Sequence, residues 1–147
     1  MIQTTACVWV SSVETISFRR IVMSSLAGSD FLERAEAARR LIREVDAAEL
    51  QSLLTSGAEL IDVREPQEYA AGHIPGARQV NGSALALQAA GILPDRDRPV
   101  VVVCRSGNRS AIAALELQTL GYAQVVSLRG GLLQWGELIS QPIPAAG

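Results

Sequence analysis

Cys104 ends an uninterrupted run, Pro99-Val100-Val101-Val102-Val103, and is followed by Arg105-Ser106-Gly107-Asn108-Arg109-Ser110. The β-branched run predicts a strand covered on both faces. A helix beginning at Arg109 or Ser110 follows, rich in small residues (Ala111, Ala113, Ala114) and stopped by Gly121. A short glycine-containing loop between a strand and a helix start can turn several backbone N–H groups toward one point and make an anion-binding nest. With the sulfur at its floor, the inward amides, the helix dipole and the neighbouring guanidiniums favour thiolate over thiol. The predicted chemistry is that of a nucleophilic thiol working without a histidine base. A lone cysteine at a strand end is most often inert packing; the loop after Cys104 tips the balance. Cys7 has no cationic neighbours and is assigned no role.

Other residues carry weaker signals. Arg109 stands at a helix start, where the dipole disfavours a cation, and that misfit points to a loop-shaping or substrate role. Asp62 and Arg64 follow a predicted strand and so lie near the same end of the sheet. Supporting roles are expected for both: Asp62 holding the Cys104 loop or pairing with an arginine, Arg64 pairing with Glu68. His73, between Gly72 and Ile74, reads as a hydrogen-bonded turn residue. One histidine and scattered carboxylates give no metal-site spacing, and no cofactor is expected.

These residues need a scaffold. Asp30 and Glu33 mark a helix start, and Phe31, Leu32, Ala35, Ala38, Leu41, Ile42 and Val45 recur at helical spacing. Asp46 and Glu49 open a second, short helix over Leu50, Leu53 and Leu54, which Gly57 ends. Strand, turn and helix then alternate: Glu59–Val63 as a strand, a Pro66 turn with a helical segment around Tyr69, and a turn-rich stretch Gly72–Ala77. A helix from Ser83 to Ala90 stops at Gly91, and Gln124–Leu128 forms a further strand. Alternation of this kind predicts an α/β fold with a central parallel sheet flanked by helices on both faces.

Composition excludes several classes. The 147 residues are 48% hydrophobic and 19% charged, ample for one folded core. No stretch approaches the roughly 20 apolar residues of a membrane span, so no membrane partner and a cytoplasmic location are expected. Thirteen basic residues, all arginine, stand against fifteen acidic ones, without the surplus that nucleic-acid binding requires. Two cysteines are too few for a disulfide framework. Residues 1–22 lack the features of a secretory signal. They are expected to be an extension, either upstream of a natural start at Met23 or loosely attached. Residues 23–45 are expected to be an accessory amphipathic helix, 46–140 the α/β domain and 141–147 a tail.

The loop from Cys104 to Ser110 resembles the active-site loop of the rhodanese family. Leu60–Tyr69 with Gly72–Ala77, and Gly121-Tyr122 through Leu128-Arg129-Gly130-Gly131 to Trp135, resemble that family's flanking signatures. The resemblance implies a sulfurtransferase of the thiosulfate type, in which Cys104 takes the outer sulfur of a small anionic donor as a persulfide. A thiol, cyanide or a sulfur-accepting protein then receives it. It further implies that Arg105, Ser106, Gly107, Asn108, Arg109 and Ser110 surround the donor, with Arg105 pointing outward. The four residues between Cys104 and Arg109 match the sulfurtransferases of this superfamily. Its phosphatases and arsenate reductases have five, and a four-residue cradle admits sulfur rather than phosphate. Arg105 directly after the cysteine departs from the mercaptopyruvate pattern and implies a strongly anionic donor. A persulfide carrier or sensor, or a protein-binding module, is the alternative within the family.

Overall fold

The computed structural model describes residues 30–133. Its ten elements, in chain order, are α1 (Phe31–Leu41), β1 (Arg43–Val45), α2 (Ala47–Thr55), β2 (Glu59–Asp62), α3 (Pro66–Ala71), β3 (Arg78–Gln79), α4 (Gly82–Ile92), β4 (Val100–Val103), α5 (Asn108–Thr119) and β5 (Val125–Leu128). The five strands form one sheet, all pairs parallel, in the order β1-β5-β4-β2-β3.

Alternation along β4 builds the two cores. Val100, Val102 and Cys104 face Leu85, Ala89 and Leu93 near α4 and Ala113, Ala114 and Leu117 of α5. Val101 and Val103 face the other way, toward Leu50 of α2 and Ile74. All four valines are buried, each worth about 1.5–3 kcal/mol relative to exposure, which fixes the strand that ends at Cys104. The expected fold, a parallel sheet between helical layers, is what the chain forms.

Two boundaries differ from the periodicity. α1 stops at Leu41, and Arg43–Val45 pair with Val126–Leu128 as the edge strand β1 instead of continuing the helix. Val45 gains complete burial beside Leu50 and Leu128, so sheet pairing overrides a helical spacing that extends this far only through Ile42 and Val45. Likewise α4 runs through Gly91 to Ile92, because continuing it delivers Leu93 into the core. The helix start at Asp46 is as expected: its carboxylate accepts from the Glu49 amide at 2.8 Å.

Between α1 and α5 the contact is close. Ala35 and Ala38 are buried against Ala111, Ile112 and Leu115, small residues that let the backbones approach. Among the described residues no helix is long and apolar enough to cross a membrane. Residues 1–29, which include the first seven of the expected accessory helix, the tail 141–147 and Trp135 lie outside the described residues.

Candidate functional site

The site grows from the carboxyl end of β4. Cys104 continues the strand's alternation and is buried, while Arg105 and Ser106 stand exposed above it. Gly107 turns the chain back at φ +96, a conformation that costs glycine nothing, and caps α5 without a side chain. The turn brings two amides onto the sulfur: Gly107 N–H lies 3.1 Å and Ser110 N–H 3.4 Å from Sγ. The thiol donates to Ser110 Oγ at 3.4 Å, and Ser110 Oγ shares a 2.7 Å hydrogen bond with Ser127 Oγ of β5. Both serines are fully buried. Among the described residues, the backbone N–H groups of Arg105, Ser106, Asn108 and Arg109 meet no acceptor. They are uncommitted donors in the same loop as a sulfur that already receives two, at the positive end of a helix.

A second loop clamps the first. Leu132 N–H donates to Cys104 O at 2.9 Å and Leu133 N–H to Arg105 O at 3.3 Å. Gly131, at φ +63, passes so near that a Cβ there would lie 2.3 Å from Arg105 O. Ser127 and Gly131 were not singled out as site residues from the sequence. A glycine pair directly after a strand is the available signal, and it speaks of close backbone approach.

The arginines divide the work. Arg109 is held in a bidentate pair by Glu68, at 2.7 Å and 3.0 Å. Through it α3, whose preceding residue Glu65 donates its N–H to Glu68 at 3.0 Å, is tied to the Cys104 loop. The hydrogen bond from Arg109 holds the Glu68 carboxyl down to about 2, and the same bond raises Arg109. The pair commits the Arg109 guanidinium to Glu68. The exposed Arg105 guanidinium has no ion-pair partner among the described residues.

The expected pair of Arg64 with the Glu68 carboxylate does not form, because Asp62 takes the guanidinium first. Arg64 Nη2 lies 2.7 Å from Asp62 Oδ2 and Nε 2.9 Å from Oδ1. The backbone N–H of Arg64 adds a bond to Oδ1 at 3.0 Å. The remaining donors reach Gly72 O at 2.8 Å and Glu68 O at 3.3 Å. Of the alternatives for Asp62, pairing with an arginine is therefore the one present. His73 packs flat on Tyr69, and its Nδ1 lies 3.0 Å from Tyr69 O. Beside the loop a groove of about 250 Å³ is bordered by Arg109, Arg34, Val63, Glu65 and Glu116; the sulfur itself does not line it. Burial pushes the Glu116 carboxyl up.

The profile of the rhodanese-like domain matches residues 46–138. A thiosulfate sulfurtransferase GlpE of Pseudomonas aeruginosa is 39% identical over 87 residues, covering 59% of this chain and 77% of the relative. The human single-domain sulfurtransferase TSTD1 superposes with a TM-score of 0.58 at 34% identity, over 64% of this chain and 95% of that one. A Rhodopseudomonas palustris protein of unknown function, described as a possible tyrosine phosphatase, superposes with a TM-score of 0.68 at 26% identity, over 79% and 96%.

Proposed function

The chain belongs to the rhodanese-like domain family and is a sulfurtransferase, and from that membership we propose that it moves sulfane sulfur from thiosulfate through a persulfide on Cys104. The observation that carries this is the Cys104–Ser110 loop, in which two backbone N–H groups are directed at Sγ and four more have no acceptor among the described residues. In the first half-reaction the Cys104 thiolate attacks the outer sulfur of thiosulfate. A sulfur–sulfur bond forms, the bond to the sulfonate sulfur breaks, and sulfite leaves with the electron pair. The negative charge now rests on the terminal sulfur of the persulfide, where preorganised amides stabilise it as an oxyanion hole stabilises developing charge. In the second half-reaction cyanide or a thiolate attacks that terminal sulfur and Cys104 departs as thiolate. No metal or cofactor is part of this scheme.

The residues divide accordingly. Cys104 is the nucleophile; Ser106, Gly107, Asn108 and Ser110 supply the cradle by their backbones; Arg105 attracts the dianionic donor. Arg109 shapes the loop through Glu68, and Asp62 with Arg64 supports it from the neighbouring strand end. A cytoplasmic setting, where thiols stay reduced, fits a free catalytic cysteine.

The test is the intact mass of the protein after incubation with thiosulfate. One added sulfur, about 32 Da, that is discharged as thiocyanate by cyanide and is absent in Cys104→Ser is the expected result. Absence of the gain with every sulfane donor overturns the proposal. A gain that cyanide and small thiols fail to discharge identifies a dedicated carrier instead. Hydrolysis of p-nitrophenyl phosphate with no mass gain identifies a phosphatase.

A further inference from the structure

We propose that Arg39, on a helix preceding the matched region of the family, is a positioning residue for the persulfide cradle. The inference rests on the sulfur-transfer function proposed above. Arg39 lies in the last turn of α1, and its Nη1 donates to the side-chain oxygen of Asn108, the first residue of α5. The family match begins at residue 46, so this contact reaches the active loop from a segment that the match does not include.

The packing explains how it gets there. Ala35 and Ala38 are completely or almost completely buried against Ala111 and Leu115, and Phe31 and Arg34 share a groove with Ile112 and Glu116. The amino end of α1 thus lies beside the middle of α5, and its carboxyl end beside the start of α5. The two helices run antiparallel, and the small residues bring them near enough for Arg39 to reach Asn108.

Asn108 matters because of its neighbours. The first turn of α5 carries the Ser110 amide that points at Sγ and the free amides of Asn108 and Arg109. Gly107 caps this helix with no side-chain hydrogen bond, so its first turn is not fixed by a cap. Glu68 holds the turn from one side through Arg109. Arg39 holds it from the other through Asn108. Amides that stabilise charge on sulfur act only if they are oriented before the charge arrives, and the two arginine contacts add to the Ser110–Ser127 bond in orienting this turn.

The test is single-turnover persulfide formation from thiosulfate, followed by mass as a function of donor concentration on folded protein. Arg39→Ala is expected to lower the limiting rate roughly five- to twentyfold while the apparent donor affinity changes less than about twofold. Asn108→Ala is expected to do the same, and the double variant to be no worse than the slower single one, since both remove one contact. Arg39→Lys, which keeps a donor, is expected to recover part of the rate. Arg40→Ala, which removes only an exposed pair with Glu36, is the control for effects on the helix. If Arg39→Ala unfolds the protein, Asn108→Ala and Arg39→Lys test the same contact. Wild-type rates in Arg39→Ala, multiplying losses in the double variant, or an equal loss in Arg40→Ala overturn the inference. Absence of persulfide in the wild type overturns the proposed function instead.

Discussion

Two neighbouring strands end at the same edge of the sheet and finish in opposite ways. After β2, Asp62 and Arg64 are buried and bonded to each other, to their own backbone and to the carbonyls of Gly72 and Glu68. After β4, Cys104 is equally buried, but four of the amides of its loop have no acceptor among the described residues. The first end is saturated, so it has nothing left to offer a ligand and its work is to hold β2, α3 and the Gly72 turn together. The second keeps donors that the fold itself does not use, on exposed or half-buried residues where water or an arriving anion can take them. Unspent hydrogen-bonding capacity, more than burial or charge, separates the reactive end from the structural one.

The largest expected effect comes from breaking the saturated end. Arg64→Ala leaves Asp62 buried without its counter-ion, which costs about 3–5 kcal/mol, and urea unfolding at neutral pH measures it. Cys104→Ser, by contrast, abolishes sulfur transfer while changing stability by less than about 1.5 kcal/mol. If Arg64→Ala unfolds at the wild-type urea concentration, the structural assignment of the β2 end is wrong.

Next is a change that deforms the reactive end without touching the sulfur. Gly131→Ala places a methyl 2.3 Å from Arg105 O and 2.4 Å from its carbonyl carbon. Backbone cannot swing away as a side-chain tip can, so the Arg105–Gly107 turn must move. Turnover is expected to fall about a hundredfold, with a stability loss of about 1–3 kcal/mol from the residue's left-handed backbone. Steady-state kinetics beside a melting curve tests both.

The reactive end was legible because its information is local: a strand, a cysteine, a glycine turn and a helix start lie within a dozen consecutive residues. The same is true of the Asp46 cap and of the alternation that gave the parallel sheet. Less visible was whatever depended on meeting a distant segment. Ser127 reaches Ser110, Glu68 reaches Arg109 and Arg39 reaches Asn108 only once β5, α3 and α1 have packed. β1 was hidden for the same reason, since a three-residue edge strand is defined by its partner. The pairing of Arg64 with Glu68 expected from the sequence gives way to Asp62, two residues away, which the fold puts in better geometry.

A smaller effect concerns the bridge between the two ends, Glu68 with Arg109. Their side chains are 30% and 32% exposed, so solvent screening reduces the pair to about 1 kcal/mol. The folded-state value of Glu68, about 2, lies below its ordinary 4.5. Its contribution is therefore fully present above 4.5 and is lost as pH falls toward 2. Glu68→Gln is expected to be less stable than wild type by about that amount at pH 7, with the gap narrowing steadily between pH 4.5 and pH 2. A difference that does not narrow between pH 4.5 and pH 2 assigns the effect to packing rather than charge.

The smallest effect separates the two loop arginines. Arg109 is committed to Glu68, whereas Arg105 is exposed and without an ion-pair partner among the described residues, so only Arg105 is free to act on a donor still in solution. Attraction at a distance is screened over about 10 Å at 0.1 M salt and about 3 Å at 1 M. Arg105→Ala is therefore expected to lower kcat/KM for thiosulfate about fivefold in dilute buffer and less than about twofold at 1 M salt. An uncharged organic trisulfide, which feels no such attraction, is expected to lose little at either salt concentration. Equal losses with thiosulfate at both would mean that Arg105 touches the bound donor. The β4 end would then offer it a charged side chain as well as backbone amides, and the contrast with the saturated β2 end would widen.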